Sequence, residues 1–341
     1  MILVKITVSK LSGKVIGASS GTDISIMDQI GPDDLFWADV EGFTPDFLNY
    51  IEKRFSIDPL TVEDINAGKQ RVKIEDYPSY TFMVSKNVTK TGKDEFSYDT
   101  EEIFLILMEK GMLTLHQNPS SVVQHSIDSI GNRAKTIKKE KNFPSLVMHQ
   151  VFDFSVDSFF SALSDMENWL VSVRVDLLDF DNITSKELND LKNIMAFISR
   201  ARSEMGNLRI TLTQHRDVMS LAQNDAIKFL SPDLSHDFRD IYDHTFQMIE
   251  ALDSYTLRAG DIRDLYFTLR SAYTDNILRL LTLVATIFLP LTFLTGFYGM
   301  NFTKGFYEPA SSSIYGFYGM VVVMLLISSV LLLIFRKRGW V

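Results

Sequence analysis

Residues 281–302 read LTLVATIFLPLTFLTGFYGMNF, and this stretch decides what kind of chain this is. It lies within 24 residues between Arg279 and Lys304 that carry no formal charge. A second run, 27 residues between Glu308 and Arg336, is also uncharged. A hydrocarbon layer about 30 Å thick takes roughly 20 helical residues to cross. Leu280–Tyr298 and Tyr315–Phe335 both reach that length. Two such runs joined by a short polar loop predict a helical hairpin, because in lipid each backbone N–H and C=O must be satisfied within its own segment. The alternative, a pair of helices buried in a large soluble core, is weaker for that reason. Arg336-Lys337-Arg338 closes the second run and Arg279 opens the first, while Lys304 is the one base between them. The positive-inside rule then predicts both termini in the cytoplasm, a multi-pass plasma-membrane protein and an extracellular loop at 299–314.

Outward from this hairpin the composition changes sign. The 341-residue chain has a net charge of −9 and is 46% hydrophobic. Residues 277–341 hold five basic residues and one acidic residue, leaving 29 basic and 42 acidic residues in the first 276. An acidic body of −13 is thus joined to an apolar tail of +4. That balance argues against a nucleic-acid-binding surface. Cysteine is absent, which excludes disulfides, thiol nucleophiles and cysteine-ligated metal centres. The first residues, Met1-Ile-Leu-Val-Lys5, lack the features of a signal peptide.

Within the body, residues 1–150 read as an α/β domain. Strand-like runs are Ile2–Val8, Leu35–Asp39, Tyr80–Val84, Ile103–Met108 and Met112–His116, with a turn at Glu109-Lys110-Gly111. From about Ser155 the period becomes helical: Phe159, Leu163, Met166, Leu170 and Val173 recur every three or four residues. A second helix is expected over about 187–226. No proline falls between Pro232 and Pro290, and Phe238, Ile241, Thr245, Met248, Leu252, Tyr255, Ala259, Ile262 and Tyr266 keep the period. A helix over that interval would be roughly 85 Å long and would run directly into the first apolar span. The expected divisions are an α/β domain at 1–150, a helical region with the long helix at 151–276, spans at 277–298 and 315–335, the loop at 299–314 and a basic tail at 336–341.

Residues 281–302, ending in Gly299-Met300-Asn301, resemble the signature of the CorA-type divalent cation transporters. That family has two C-terminal spans, Gly-Met-Asn at the end of the first, and bases after the second. Gln70-Arg-Val-Lys-Ile-Glu75 resembles the family's Gln-Arg-Pro-Lys-(Val/Ile)-Glu, with Val72 in place of the proline, and Phe238–His244 resembles its stalk helix. The resemblance implies a homopentamer: a cytoplasmic funnel of α/β domains, long stalk helices continuing as five pore-lining first spans, and an outer ring of second spans. It implies transport of hydrated Mg²⁺, with Co²⁺ and Ni²⁺ as further substrates, down the electrochemical gradient and under control of internal Mg²⁺. One departure touches the substrate: where relatives have Met-Pro-Glu soon after the motif, this chain has Phe-Thr-Lys-Gly-Phe-Tyr-Glu308-Pro309. A zinc transporter of the same family is the alternative. A membrane-anchored metal sensor or scaffold is the alternative from another class.

Mg²⁺ prefers oxygen ligands and gives up water slowly, so a fast pore should hold the hydrated ion through neutral oxygens rather than carboxylates. The first span offers Thr282, Thr286, Thr292, Thr295 and Asn301 and no acid. By resemblance, Gly299 and Asn301 contact the hydrated ion at the outer mouth and Met300 supports the loop. Thr292 and Gly296 would line the pore, although a threonine can instead bond its own helix. Leu278, Leu281 and Ala285 share a stripe and could close the pore by dewetting, or pack against the second span. Asp275 stands where relatives often carry asparagine. Asp240 matches a stalk carboxylate of the family's regulatory metal site, with Asp94 as its candidate partner; a solvated helix face is the competing reading of this acidic stretch. No resident cofactor is expected. No phosphate loop, His-Glu-x-x-His or other specific catalytic constellation is present, which argues against an enzyme.

Overall fold

The computed structural model describes residues 4–12, 15–92, 96–133, 142–178, 185–300 and 314–339. It comprises two compact units, one of residues 1–180 with 190–263, the other of 181–189 with 264–341.

The first unit is built on a seven-stranded sheet. In chain order its elements are β1 (Lys5–Ser12), β2 (Val15–Gly21), β3 (Leu35–Glu41), α1 (Pro45–Phe55), α2 (Pro59–Ala67), β4 (Lys73–Asp76), β5 (Thr81–Lys90), β6 (Tyr98–Leu107), β7 (Gly111–His116), α3 (Ser121–Arg133), α4 (Phe143–Leu178) and α5 (Ser185–Gln223). The strand order is β2-β1-β3-β7-β6-β5-β4. β3 and β7 pair in parallel, with Asp39 opposite Thr114 and Glu41 opposite His116; the other pairs are antiparallel. Between β3 and β7 the chain leaves the sheet through α1 and α2. Their starts are written locally: Thr44 and Asp58 accept backbone N–H bonds as caps, and Pro45 and Pro59 occupy the first turn, where a missing N–H costs nothing. Gly111 opens β7 because an added Cβ would lie 2.2 Å from the Phe36 ring.

Alternation along the strands separates two faces. One buries Ile6, Val8, Phe36, Ala38, Val40, Phe82, Val84, Phe104, Ile106, Leu113 and Leu115 with Phe47, Leu48 and Ile51 of α1 in one apolar cluster. The other packs on α4, which meets β5, β3, β7 and β6, and is much more polar. There Trp37 Nε1–H donates to Thr114 Oγ1 (3.0 Å), whose hydroxyl donates to Asp39 Oδ1 (2.6 Å). His116 bonds Asp39 through Nε2 (3.2 Å) and the Asn118 carbonyl through Nδ1 (2.6 Å). Burial opposes charge on His116, but its bonds to Asp39 outweigh it and raise its pKa. Both ring nitrogens thus face oxygen acceptors where the two parallel strands end, an arrangement that favours the protonated ring.

Several limits differ from the sequence reading. The first strand starts at Lys5 and runs on to Ser12, hairpinned to β2, which has no apolar alternation to announce it. β5 and β6 extend to Lys90 and back to Tyr98 because backbone pairing continues through polar residues. α4 starts at Phe143 rather than near Ser155, since Pro144 falls in the first turn, where proline is tolerated. The division placed at residue 150 lies inside α4.

α6 (Ser235–Tyr298) is a single 64-residue helix that belongs to both units. Its first half buries Phe238, Ile241, Thr245, Met248, Ile249, Leu252, Tyr255, Ala259, Ile262 and Tyr266. It continues through Pro290, which has no N–H to give to the Thr286 carbonyl. α7 (Ile314–Lys337) is the second apolar helix and ends on Arg336 and Lys337. Both helices are long and apolar enough to cross a membrane, and their apolar windows are almost wholly unburied within the chain.

Candidate ion path and regulatory cluster

The second half of α6 carries most of the pore residues read from sequence. At about 100° per residue, Asp275, Leu278, Leu281, Thr282, Ala285, Thr292, Gly296 and Gly299 fall within an arc of about 120°. All are exposed in the single chain; Leu278 and Leu281 are 53% and 63% exposed. The buried residue of this segment is Leu283, roughly on the opposite side of the helix. The stripe thus faces away from what the chain itself can cover. Leu289 lies on the same stripe, between Ala285 and Thr292, and is 72% exposed. The sequence reading passed over it, although its four-residue spacing from Ala285 was visible.

The threonine alternatives prove compatible. Thr282 donates to the Leu278 carbonyl (2.7 Å), Thr292 to Phe288 (2.8 Å) and Thr295 to Thr292 (2.9 Å). A hydroxyl has one proton and two lone pairs. With the proton committed to the helix, the outward side of each oxygen is purely an acceptor. A hydrated cation turns its water hydrogens outward, so acceptors are what a wall contacting that hydration shell must present. Gly299 closes the helix with its N–H on the Thr295 carbonyl (2.9 Å), and a Cβ there would crowd that oxygen at 3.1 Å. At Gly296 a Cβ would meet nothing within 4 Å of its own chain. Met300 follows, exposed. Asn301 and Glu308 lie outside the described residues, as does Asp94.

The second candidate region lies on the first half of α6. Asp240 and His244 are one turn apart, with Oδ1 and Nε2 separated by 3.9 Å. Facing them from α4 are Asp157, which interacts electrostatically with both, and Phe160, whose ring centroid is 6.5 Å from that of His244. Desolvation, then the Asp153 carboxylate, raise the Asp157 pKa; His244 lowers it and Asp240 raises it further. Sequence reasoning singled out Asp240 and missed Asp157, which is 83 positions away. Among the described residues, no group of three or more histidine or acidic side chains converges closely enough to hold a metal unaided.

An α/β head, a long helix that continues as an apolar segment, and a second apolar helix describe a chain with two candidate membrane spans at its C-terminal end. Comparison with known proteins gives the family. The profile described as CorA-like Mg²⁺ transporter protein matches residues 32–337, and the chain belongs to that family of metal ion transporters. It is 27% identical over 305 residues to the cobalt/magnesium transport protein CorA of Thermotoga maritima, covering 89% of this chain and 83% of that one. It is 23% identical over 322 residues to the CorA of Methanocaldococcus jannaschii, covering 92% and 95%. The complete structure of the CorA magnesium transporter from M. jannaschii superposes with a TM-score of 0.78 at 20% identity over 100% of both chains. The match includes the α/β domain, the long helix and both apolar C-terminal helices.

Proposed function

We propose that five copies of this chain assemble around one axis as a channel for hydrated Mg²⁺, with Co²⁺ and Ni²⁺ as further substrates. The observation that carries the reading is the stripe on α6: it is uncovered by its own chain, carries no carboxylate between Leu278 and Met300 and offers oxygen acceptors at Thr282 and Thr292. A single helix cannot enclose a path, so the stripe needs copies of itself. Leu278, Leu281, Ala285 and Leu289 form apolar rings that exclude water when narrow. Gly299 and Asn301 form the outer mouth, holding the ion through its water. Asp275 concentrates cations at the inner end. Charge flanking both spans supports cytoplasmic termini in the plasma membrane. The names of the T. maritima and M. jannaschii relatives support Mg²⁺ and Co²⁺ as cargo.

Gating follows from the acidic cluster. A divalent ion between Asp157 and Asp240, completed by a carboxylate such as Asp94 from a neighbouring copy, neutralises charge that would otherwise push acidic heads apart. High internal Mg²⁺ then holds the assembly closed, and depletion releases it. Flux into liposomes, measured separately for Mg²⁺ and Zn²⁺, tests the substrate. Mg²⁺ flux that falls at least tenfold in Asn301→Ala, with five chains still counted by native mass spectrometry, is the expected result. Zn²⁺ flux without Mg²⁺ flux would overturn it.

A further inference from the structure

Five buried side-chain polar atoms have no partner among the described residues: Ser85 Oγ, Asn87 Oδ1, Thr89 Oγ1, Ser155 Oγ and His215 Nδ1. They are not scattered. Ser85, Asn87 and Thr89 are alternate residues of β5 and so share one face of the sheet, the face that packs on α4. Ser155 is on α4 and His215 on α5, and the His215 ring meets Phe152 and Phe159 edge-on at centroid distances of 5.9 and 6.0 Å. Ser155 lies between those two phenylalanines on the same side of α4. Ser85, Asn87, Ser155 and His215 are each 0–1% exposed.

The seam exists because β5 outruns its neighbour. β4 pairs with β5 only from Thr81 to Val84, which leaves the following edge of β5 without a strand. Side chains take its place. His215 Nε2 lies 2.9 Å from the Lys86 carbonyl and 3.4 Å from the Lys86 N–H, and the shorter contact favours a proton on Nε2; Val88 N–H donates to Ser158 Oγ (2.9 Å), and Gln214 Oε1 accepts from Val72 N–H (3.0 Å) just before β4 begins. With its one proton on Nε2, His215 offers only a lone pair at Nδ1. Burial depresses its pKa to about 4, so the ring is neutral at ordinary pH.

We propose that this seam binds a short file of internal water molecules, running along β5 between Ser85 and Thr89 and bridging them to Ser155 and His215 Nδ1. The chemistry matches water. Asn87 Oδ1 can only accept, as can His215 Nδ1 with the proton on Nε2, while the three hydroxyls can do either; no two of them are hydrogen-bonded to each other. Alternate strand residues are nearly 7 Å apart, so more than one water is needed. Internal waters usually take two to four polar partners, and the seam provides five. A cation fits less well: all five groups are neutral, and the neighbouring Glu101 carboxylate is turned to Asn87 Nδ2 (3.3 Å) and not to Oδ1, the atom that faces the seam unpartnered. The consequence is a wet joint between α5 and the sheet, whose bonds can exchange through water.

The test uses the full chain in detergent and a substitution whose sign discriminates. If Ser155 Oγ is bridged, Ser155→Ala loses bonds and lowers the thermal midpoint by about 2–4 °C. If the hydroxyl is truly orphaned, removing it leaves the midpoint unchanged or raises it, which overturns the proposal. Ser85→Ala combined with Ser155→Ala should cost less than the two separately, because they share waters; strict additivity counts against a shared file. The gap between parent and variant should be equal in sodium, potassium and choline salts. A gap present only with sodium or potassium assigns the seam to an ion and overturns water.

Discussion

The two halves of α6 obey one helical period and have opposite fates. Up to Tyr266 the apolar stripe is buried, with bonds to α4 and α5, whereas from Ile277 to Tyr298 most large apolar side chains are exposed and Leu283 alone is buried. Composition does not explain this, because leucine, isoleucine and phenylalanine occur in both. The difference is the partner. The first half finds its apolar neighbours within the chain, with Tyr255 bonded to Glu167 (3.1 Å) on α4; the second finds few there, and its apolar side chains stay uncovered by their own chain. The buried contacts that stabilise the head are therefore concentrated in one half, and the proposed ion path lies on the other.

That division can be broken most directly at Phe238 and Leu281. Phe238→Ala should destabilise the head by about 3–5 kcal/mol, through lost burial and the cavity left behind. Leu281→Ala should leave the head's unfolding free energy unchanged within about 0.5 kcal/mol while changing flux. Denaturant unfolding followed beside liposome flux checks both; equal losses of head stability would erase the distinction.

The next effect concerns acid. His215 has its pKa depressed to about 4 by burial, against an ordinary value of 6.5. Below 6.5 the unfolded chain takes up a proton that the folded head refuses. Head stability should thus fall on the order of 3 kcal/mol between pH 6.5 and 4, and His215→Gln should flatten that slope in a pH series of unfolding curves. His116 works with the opposite sign: its pKa is raised, so its contribution is complete below about 6.5 and is lost as pH rises through the folded value. His116→Gln should therefore cost most in acid and least in alkali. No acid, base or histidine lies between Leu280 and Met300, so neither slope belongs to the transmembrane half.

A smaller effect sharpens the same contrast. Thr292→Val keeps the shape but deletes the acceptor turned away from the helix, and should reduce Mg²⁺ flux about tenfold, equivalent to about 1.4 kcal/mol, without moving the head's midpoint. A lower midpoint with flux intact would make Thr292 a packing residue. The smallest effect is expected at Asp240→Asn, which should weaken inhibition by internal Mg²⁺ severalfold. Unchanged inhibition would remove Asp240 from the regulatory cluster.

Much of this was legible before any folding was considered. The spans, the long helix and the stripe of Leu278, Leu281 and Ala285 follow from charge-free length and a 3.6-residue period, both local properties, while Asp275, Thr292, Gly296 and Gly299 came from the family resemblance. Leu289 was equally visible and was passed over. β2 was not legible, because Val15–Gly21 contains little apolar alternation and is a strand only by pairing with β1. Asp157 was not legible either, since nothing in its own segment distinguishes it from Asp153.

By itself, then, the sequence determined which residues cannot remain in water, that a long helix runs into the first of two apolar segments, and which family the motif at 299–301 resembles. These depend on neighbours a few positions apart and on the energy of moving side chains out of water. Only the tertiary structure decided which polar groups meet: Asp157 with Asp240, Asp39 with His116, and His215 with the bare edge of β5. Those encounters join positions 77 to 129 residues apart, or bridge two helices, and no local periodicity encodes them. They exist because the strand order and the packing of α4, α5 and α6 bring distant backbone together, and a buried polar group must find its partner wherever the fold has placed one.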